Sequence, residues 1–430
     1  MNKELKTSYD VLRKVYSQNA FSSIELNKAL QSTQASHGLV TKIVYGVLEN
    51  DLLLTYYVSQ FYTKKPKPAV LLLLKMGAYV SHFLNSIPPF ALVNELVEMG
   101  KLHDKAIAGF LNATLKKVVN GQITLPSEQN PVERLSIQFS YPTWLVKKLL
   151  SQHSKEFVEQ LLSTQLTTLT HIRLNNKKIS QSEFEKQLTN LGIEFRPSAI
   201  IGAYFVNYEQ LLNQPQLNPL YVVIGLTSMN FMDNVPLPQN AQVYDACASP
   251  GGKSAYLATL HPTATILAGD LHPHRVELMN KLMKKQQLSN VTTLVADATK
   301  LNENWKEKFD VVVCDVPCSG IGVVGKKPDI LLNRKESDID TLANLQLNIL
   351  ENCSNYVKPN GAIYYSTCTI LQEENEQVVT KFLNKHPEFE LSELPNKHGI
   401  PTVTNNHMVT YLPNVSNTEG FFIAKLVKKE

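Results

Sequence analysis

The sequence lacks the features of a membrane or secreted protein. No apolar run approaches the ~20 residues that a membrane-spanning helix needs, and the nearest case, Ala69 to Leu74, ends at Lys75. The segment Met1 to Lys6 has no apolar stretch of the kind found in secretory signals. Five cysteines without a CxxC spacing do not form a disulfide framework. These absences predict a cytoplasmic protein with no membrane partner.

A large excess of charge of one sign is also missing, since the formal net charge is +4 over 430 residues. A composition of 43% hydrophobic and 19% charged residues excludes a disordered chain, and the length predicts two to four domains. Charge is nevertheless uneven: residues 1–140 carry +5, residues 141–235 carry +1, and residues 236–430 carry −2. A basic N-terminal part could bind a polyanion such as RNA, although a solvated lysine-rich surface explains the same count.

The apolar pattern is typical of helices in residues 1–140. The segment Val70 to Leu84 is helix-like, and one helix face is predicted to carry Ile107, Phe110, Leu111, Leu115 and Val118. Residues 120–145 contain several proline and glycine breakers and predict a connection. Residues 141–235 predict a small α+β domain with strands at Thr170 to Leu174 and Ile200 to Val206.

From residue 236 to residue 430 strands alternate with helices, which predicts a Rossmann-like α/β domain with a mostly parallel sheet. The predicted strands are Val243-Tyr244, Ile266 to Ala268, Thr293 to Ala296, Phe309 to Cys314 and Ala362 to Tyr365. The predicted helices cover residues 252–260, 273–288, 338–357 and 372–385. The last apolar segment, Phe421 to Leu426, is predicted to be an antiparallel edge strand.

The turn after the first of these strands carries the strongest local motif. It reads Asp245-Ala246-Cys247-Ala248-Ser249-Pro250-Gly251-Gly252-Lys253. Open α/β sheets bind ligands at the carboxyl ends of their strands, and glycines let the backbone approach a ligand closely. The motif matches neither GxGxxG nor GxxxxGK[ST], which argues against a dinucleotide or nucleoside triphosphate cradle. An ordinary tight strand–helix turn is the alternative.

Three acidic residues, Asp270, Asp297 and Asp315, close the next three predicted strands. An acid at the end of the second strand, roughly 20 residues past the glycines, suits a ribose diol. Asp297 could accept a hydrogen bond from an adenine amino group. Any one of them could be a helix cap or a surface residue, but three beside the glycine turn favour a nucleoside pocket.

Two cysteines, Cys318 and Cys368, are predicted in loops at the same end of the sheet. A cysteine thiolate is a nucleophile, and it needs an exposed polar setting with positive charge nearby. Cys314 and Cys353 lie in apolar stretches and are predicted to be core residues. No histidines stand at ligand spacing around these cysteines, so no metal is expected.

Together these motifs resemble the S-adenosylmethionine-dependent RNA cytosine-5 methyltransferases, and the ending Glu419 to Leu426 resembles that family's last strand. The stretches Leu39 to Leu48 and Met76 to Val97 resemble the helical RNA-binding NusB domain. This combination is similar to the bacterial Sun/Fmu family. The resemblance covers nearly the whole chain. It implies a NusB-like RNA-binding domain (1–140), a linker or RNA-binding domain (141–235) and a catalytic domain (236–430), acting as a monomer on small-subunit ribosomal RNA.

The resemblance also implies a role for each site residue. The S-adenosylmethionine site would comprise Cys247, Ala248, Ser249, Pro250, Gly251, Gly252, Lys253, Asp270, Asp297 and Asp315. Within this set Asp270 would hold the ribose and Asp297 the adenine. Cys368 would be the nucleophile and Cys318 would assist product release. Asp315, which would face the cytosine, and Lys253 complete the catalytic candidates.

The sequence departs from the family pattern in three places, of which Ala248-Ser249-Pro250 in place of Ala-Ala-Pro is a minor change. Ile224-Gly225 stands where a polar Gln-Asp pair is usual, and Lys326-Lys327 replaces an arginine pair before Pro328-Asp329. One alternative function is an RNA-binding ribosome assembly factor with a silent catalytic domain. Another is a cytosine-5 methyltransferase that acts on a different RNA or on DNA; in the DNA enzymes, the cysteine at the position of Cys318 is the nucleophile.

Overall fold

The computed structural model describes residues 2–84, 87–165 and 169–430. Backbone contacts divide the chain into two compact units. The first runs from the N-terminus to Ser163 and includes Val324–Glu336; the second contains Thr164–Val323 and Ser337–Glu430. Among the described residues, no helix combines the length and the apolar character needed to cross a lipid bilayer.

The first unit is helical, as predicted. Its helices are α1 (Lys3–Gln18), α2 (Ser22–Ser32), α3 (His37–Glu49), α4 (Asp51–Ser59), α5 (Pro68–Phe83), α6 (Pro89–Lys101), α7 (Ala108–Asn120), α8 (Pro131–Phe139), α9 (Thr143–Gln152), α10 (Lys155–Ser163) and α16 (Asp329–Asn333). Apolar faces of α1 to α7 form one core, in which Leu12, Val44, Leu73 and Leu96 are buried. Leu332 of α16 packs against that core, and the hydroxyl of Ser22 donates a hydrogen bond to buried Asp329.

Two predictions for this unit were wrong. Phe110 is 42% exposed, because it precedes Leu111 by one residue and one residue turns a helix by about 100° away from the buried face. The predicted connection at residues 120–145 contains α8 and the start of α9. Pro131 occupies the first turn of α8, where its missing N–H costs nothing, and the side chain of Asn130 caps the helix by accepting from the N–H of Glu133.

The second unit begins with a small α+β part of the predicted class, but residues 143–163 of the segment 141–235 form α9 and α10 of the first unit. It contains β1 (Thr170–Leu174), α11 (Gln181–Asn190), β2 (Phe195–Pro197), β3 (Ala203–Val206), α12 (Tyr208–Leu212), β4 (Tyr221–Val223) and α13 (Leu226–Asp233). The four strands form an antiparallel sheet in the order β2-β3-β1-β4. Its core is aromatic and aliphatic, with Ile172, Phe184 and Tyr204 fully buried.

A larger mixed sheet follows, and it confirms the predicted Rossmann-like class. Its elements are β5 (Gln242–Asp245), α14 (Gly252–Leu260), β6 (Thr265–Asp270), α15 (Pro273–Gln286), β7 (Val291–Val295), β8 (Phe309–Asp315), α17 (Glu336–Ser354), β9 (Val357–Thr367), α18 (Glu376–Lys385), β10 (Phe389–Ser392), β11 (Val403–Asn405), β12 (Met408–Tyr411), α19 (Pro413–Ser416) and β13 (Phe421–Lys428). Short 3-10 turns occur at Lys105–Ile107, Pro215–Leu220, Glu303–Trp305 and Ile321–Val323.

The strand order in the large sheet is β11-β12-β13-β9-β8-β5-β6-β7, and β10 also pairs with β13. Strands β5 to β9 run parallel, while β13 is antiparallel to β9. The segment Phe421 to Leu426 is antiparallel, as predicted, but its predicted edge position was wrong, because β9 covers one side of this strand and β10 and β12 cover the other. Strand order reverses beside β5, and such a switch point opens a crevice at the carboxyl ends of the strands.

Candidate active site

The glycine turn joins the buried end of β5 to the start of α14. Its Ser249–Pro250 peptide is cis, and Gly251 has φ 98°, a left-handed conformation that a side chain would strain. The N–H of Ala248 donates to the carbonyl of Gly269 at 2.8 Å, which ties the turn to β6. The backbone of this turn therefore lies at the switch point, as its motif predicts.

Asp245, the last residue of β5, is a site residue that the sequence reasoning did not single out. Its side chain is buried, and one oxygen accepts a hydrogen bond from the hydroxyl of Ser254 at 2.5 Å. The other oxygen is buried without a hydrogen-bond partner among the described residues. Burial raises the pKa of Asp245 to about 7, despite the opposing hydrogen bond from Ser254. The available signal was an acid closing an apolar strand directly before the glycine turn.

Asp270 and Asp297 lie at the ends of the next two parallel strands. Asp270 is 2% exposed, accepts from the backbone N–H of His272 at 3.0 Å and lies 3.4 Å from the guanidinium of Arg275. Asp297 accepts from both the hydroxyl and the N–H of Thr299, at 2.6 and 3.0 Å. These hydrogen bonds, with help from Lys300, lower the pKa of Asp297. Both carboxylates are thus held by residues within five positions along the chain.

Asp315 closes β8 and is fixed by two side chains. The ammonium of Lys253 lies 2.7 Å from one carboxylate oxygen, and the hydroxyl of Ser366 donates to the other at 2.7 Å. Burial alone would lower the pKa of Lys253, but the negative charges of Asp315 and Asp245 and the thiol of Cys368 raise it. The structure therefore joins the predicted Lys253 to the predicted Asp315 as an ion pair.

The two loop cysteines meet in the loops that follow β8 and β9. The Sγ atoms of Cys318 and Cys368 are 3.1 Å apart, and the N–H of Cys368 also approaches the Sγ of Cys318 at 3.3 Å. The cause is register: β8 and β9 are parallel neighbours in which Asp315 pairs with Ser366, so the loops that follow leave the sheet side by side. The pKa of Cys318 is raised, first by its hydrogen bond to Cys368 and then by burial.

The remaining cysteines do not join this pair. Cys314 and Cys353 are buried in the core between the sheet and α17, as predicted. Cys247, in the glycine turn, packs beside that same core, and burial raises the pKa of its thiol. Within the described ranges, no group of three or more histidine, cysteine, aspartate or glutamate residues is placed to hold a metal ion.

Two glycines hold the Cys368 loop by backbone contacts. The N–H of Gly322 donates to the carbonyl of Cys368 at 3.0 Å, and the N–H of Gly420 donates to the carbonyl of Gly322 at 2.8 Å. A Cβ built on Gly322 would lie only 2.5 Å from the carbonyl oxygen of Gly420 and 2.8 Å from that of Cys368. The Cys318 loop, the Cys368 loop and the start of β13 therefore approach closely only because both positions lack a side chain.

Comparison with known proteins decides the family. A family model described as the 16S rRNA methyltransferase RsmB/F matches residues 235–427, and the NusB family matches residues 3–120. A probable ribosomal RNA small subunit methyltransferase B from Bacillus subtilis (strain 168) is 32% identical over 447 residues, which cover 98% of this chain and 97% of the relative. The chain belongs to this family of ribosomal RNA methyltransferases.

Other similar proteins agree with this assignment. The ribosomal RNA small subunit methyltransferase B of Yersinia pestis bv. Antiqua (strain Angola) is 30% identical over 353 residues, covering 80% of this chain and 79% of the relative. The solved structure of PH0851 covers 100% of this chain and 99% of its own, with a TM-score of 0.85 and 23% identity, which supports the fold of the methyltransferase.

S-adenosylmethionine is the methyl donor in this family. The residues at the switch point fit it chemically, because its ribose hydroxyls and its ammonium are hydrogen-bond donors and the pocket offers acceptors. Asp245 leaves one buried oxygen without a partner in the described chain, and the carboxylate of Asp270 lies at the end of the adjacent strand. The pair Lys326-Lys327 lies in the segment Val324–Glu336, which backbone contacts assign to the first unit.

Proposed function

We propose that the methyltransferase transfers a methyl group from S-adenosylmethionine to C5 of one cytosine in 16S ribosomal RNA, through a covalent bond between Cys368 and C6 of the base. The observation that carries this proposal is the pair of thiols 3.1 Å apart, beside the Lys253–Asp315 ion pair at the switch point. This substrate would place the enzyme in the cytoplasm.

The chemistry requires a nucleophile of this kind. C5 of cytosine is a poor nucleophile, whereas addition of a thiolate to C6 breaks the C5–C6 double bond and makes C5 the nucleophilic carbon of an enamine. Cys368 supplies that thiolate. S-adenosylmethionine, when bound, supplies the methyl group that C5 takes. Loss of the C5 proton to a base then restores the double bond, and the electron pair of the C6–S bond returns to Cys368.

Asp315 and Lys253 have a supporting role in this proposal. A group that donates a proton or a hydrogen bond to N3 of the cytosine stabilises the adduct, because negative charge moves toward N3 when the thiolate adds; Asp315 would do so in its protonated form. The carboxylate of Asp315 contacts both Lys253 and Ser366. Ser366 pairs with Asp315 across β8 and β9 and lies two residues before Cys368, so Asp315 can face the base that Cys368 attacks. The target cytosine must be unpaired or turned outward to reach this pocket.

The direct test is to map 5-methylcytosine in 16S ribosomal RNA from cells with and without the gene. One cytosine should lose its methyl group in the deletion strain and regain it when the gene is restored. Retention of every 5-methylcytosine in the deletion strain would contradict the proposal and would favour a catalytically silent assembly factor.

Replacing Asp270 with alanine should weaken S-adenosylmethionine binding about tenfold or more. Loss of hydrogen bonds between a buried carboxylate and two ribose hydroxyls is worth on the order of 1.5–3 kcal/mol. Titration calorimetry would measure it. Glu277→Ala is the matched control, because Glu277 is an exposed acid on α15 that pairs with Lys281 and should leave the affinity unchanged. Equal affinity of both variants would remove Asp270 from the ribose site.

The first unit should contribute RNA affinity through exposed cations. Lys64, Lys65 and Lys67 form an exposed cluster between α4 and α5. Replacing all three with glutamine should weaken RNA binding. The slope of the logarithm of the RNA-binding constant against the logarithm of the salt concentration should also become shallower, by about 0.9 for each phosphate that the variant no longer neutralises. Filter binding across a salt series would measure both. A triple Lys→Gln variant at exposed Lys281, Lys306 and Lys385 is the control; an equal effect of both variants would mean that the first unit has no special role.

A further inference from the structure

Glu374 and its partner Gln346 contact the loop on both sides of Cys318. The side chain of Glu374 is fully buried, and its Oε1 atom accepts from the backbone N–H of Ser319 at 2.8 Å and from the side-chain amide of Gln346 at 2.9 Å. The same amide donates to the carbonyl of Pro317 at 2.9 Å. Pro317 and Ser319 are the two neighbours of Cys318, so Glu374 and Gln346 together fix its position.

A neutral side chain would satisfy these contacts equally well. Oε1 takes both hydrogen bonds, whereas Oε2 is buried and has no hydrogen-bond partner in the part of the chain that the structure describes. A glutamine has the same shape and could accept the same two bonds. Burial of a carboxylate is costly when one oxygen is left without a donor, so the hydrogen bonds alone do not account for an acid at this position.

Different charged groups act on the two thiols. The hydrogen bond to Cys368 and burial raise the pKa of the Cys318 thiol, and the negative charge of Glu374 adds to this effect. The positive charge of Lys253 interacts with Cys368, and Asp315 and Asp245 are the acids that act on Lys253 in turn. A thiolate is stabilised by a nearby cation and destabilised by a nearby anion.

We propose that Glu374 is a positioning residue that keeps the proton of the Cys318–Cys368 pair on Cys318, so that Cys368 is the thiolate. This inference rests on the proposed function, which makes Cys368 the nucleophile. In the attack step the S–H bond of Cys318 stays intact, and the C6–S bond forms with the electron pair of Cys368. Glu374 thus decides which of two adjacent sulfurs reacts, without touching the base.

The test uses the full-length free enzyme, without RNA or S-adenosylmethionine, and iodoacetamide as the probe. Mass spectrometry of digested samples gives the alkylation rate of each cysteine as a function of pH. In the wild type we expect Cys368 to react before Cys318. In Glu374→Gln the ratio of Cys318 to Cys368 alkylation should rise about tenfold, which corresponds to one pKa unit. Glu374→Asp, which keeps the charge, should restore much of the selectivity.

Glu376→Gln is the matched control. Glu376 is a half-buried acid at the start of α18, and its carboxylate accepts from the hydroxyl of Thr410. The variant removes the same charge two residues away and should leave the alkylation ratio unchanged. A folded Glu374→Gln variant with wild-type selectivity would overturn the proposal, because it would reduce Glu374 to a purely structural contact.

A second measurement applies if Glu374→Gln does not fold. Ultraviolet thiolate absorbance at neutral pH should disappear in Cys368→Ser and persist in Cys318→Ser. The reverse result would place the thiolate on Cys318 and overturn the proposal. Both assays omit RNA, so they are independent of the methylation map: an unchanged map would reject the proposed function even if the alkylation selectivity were as expected.

Discussion

Cys318→Ala should accumulate a covalent complex with RNA, whereas Cys368→Ala should form none. If Cys368 attacks C6 and Cys318 assists only the breakdown of the adduct, the first variant still adds to the base and accepts the methyl group, then stalls on its product. The second variant lacks the nucleophile, and its methylation rate should fall by roughly 10⁴-fold, the order of loss seen when a catalytic group is removed. The 3.1 Å separation of the two sulfurs places both within reach of one base.

A denaturing gel would measure this outcome. With S-adenosylmethionine and RNA present, Cys318→Ala should give a slowly migrating protein–RNA band, and the double variant should give none. Cys353→Ala is a useful control for thiol removal as such, since Cys353 is buried in the core away from the pair. If the band disappears only when Cys318 is removed, the nucleophile is the cysteine of the Pro317-Cys318 loop and the order of the two roles is reversed.

Gly322→Ala should reduce the rate of methyl transfer by about 10²-fold while leaving S-adenosylmethionine binding nearly intact. The added Cβ would stand 2.5 Å from the carbonyl oxygen of Gly420 and 2.8 Å from that of Cys368, so backbone must move. Misplacement of a reacting group by about 1 Å can cost that factor in rate. Overpacking at a rigid site also lowers the free energy of unfolding by about 1–3 kcal/mol.

Single-turnover kinetics and denaturant unfolding would separate these two effects. Gly225→Ala is the matched control, because a Cβ at Gly225 would meet nothing closer than the carboxylate of Glu419 at 3.8 Å. We expect its activity to stay close to wild type. Wild-type single-turnover rates in Gly322→Ala would mean that the contact between Gly322 and the Cys368 loop does not position the nucleophile.

The site residues that sequence reasoning found are those with a local signature. Asp270 and Asp315 each follow a run of apolar residues, and such runs are visible without knowledge of the fold. Gln346 and Glu374 were missed for a physical reason. Gln346 lies on a helix of ordinary composition and Glu374 lies in an acidic loop, a setting that usually faces solvent, yet both are fully buried by contacts with each other and with the Cys318 loop.

The same limit applies to the fold. Alternating strands and helices predicted the parallel part of the large sheet, because burial on both faces produces continuous apolar runs. The neighbours of Phe421–Lys428 were not predicted, because the short strands β10 and β12 that pair with it were not recognised in the sequence. The placement of Val324–Glu336 in the first unit likewise depends on Ser22 and on a core built by other helices.

By itself, the sequence determined the chemistry that this protein can carry: a glycine turn at a strand end, acids closing successive strands, and two thiols in polar loops. These features are local, because they arise from the order of a few residues along one strand and its turn. Only the tertiary structure decided that Cys318 and Cys368 touch, that Lys253 pairs with Asp315, and that Glu374 is buried beside the Cys318 loop. Contacts of this kind depend on the register between parallel strands, which joins residues some 50 positions apart and is set by the packing of the whole sheet.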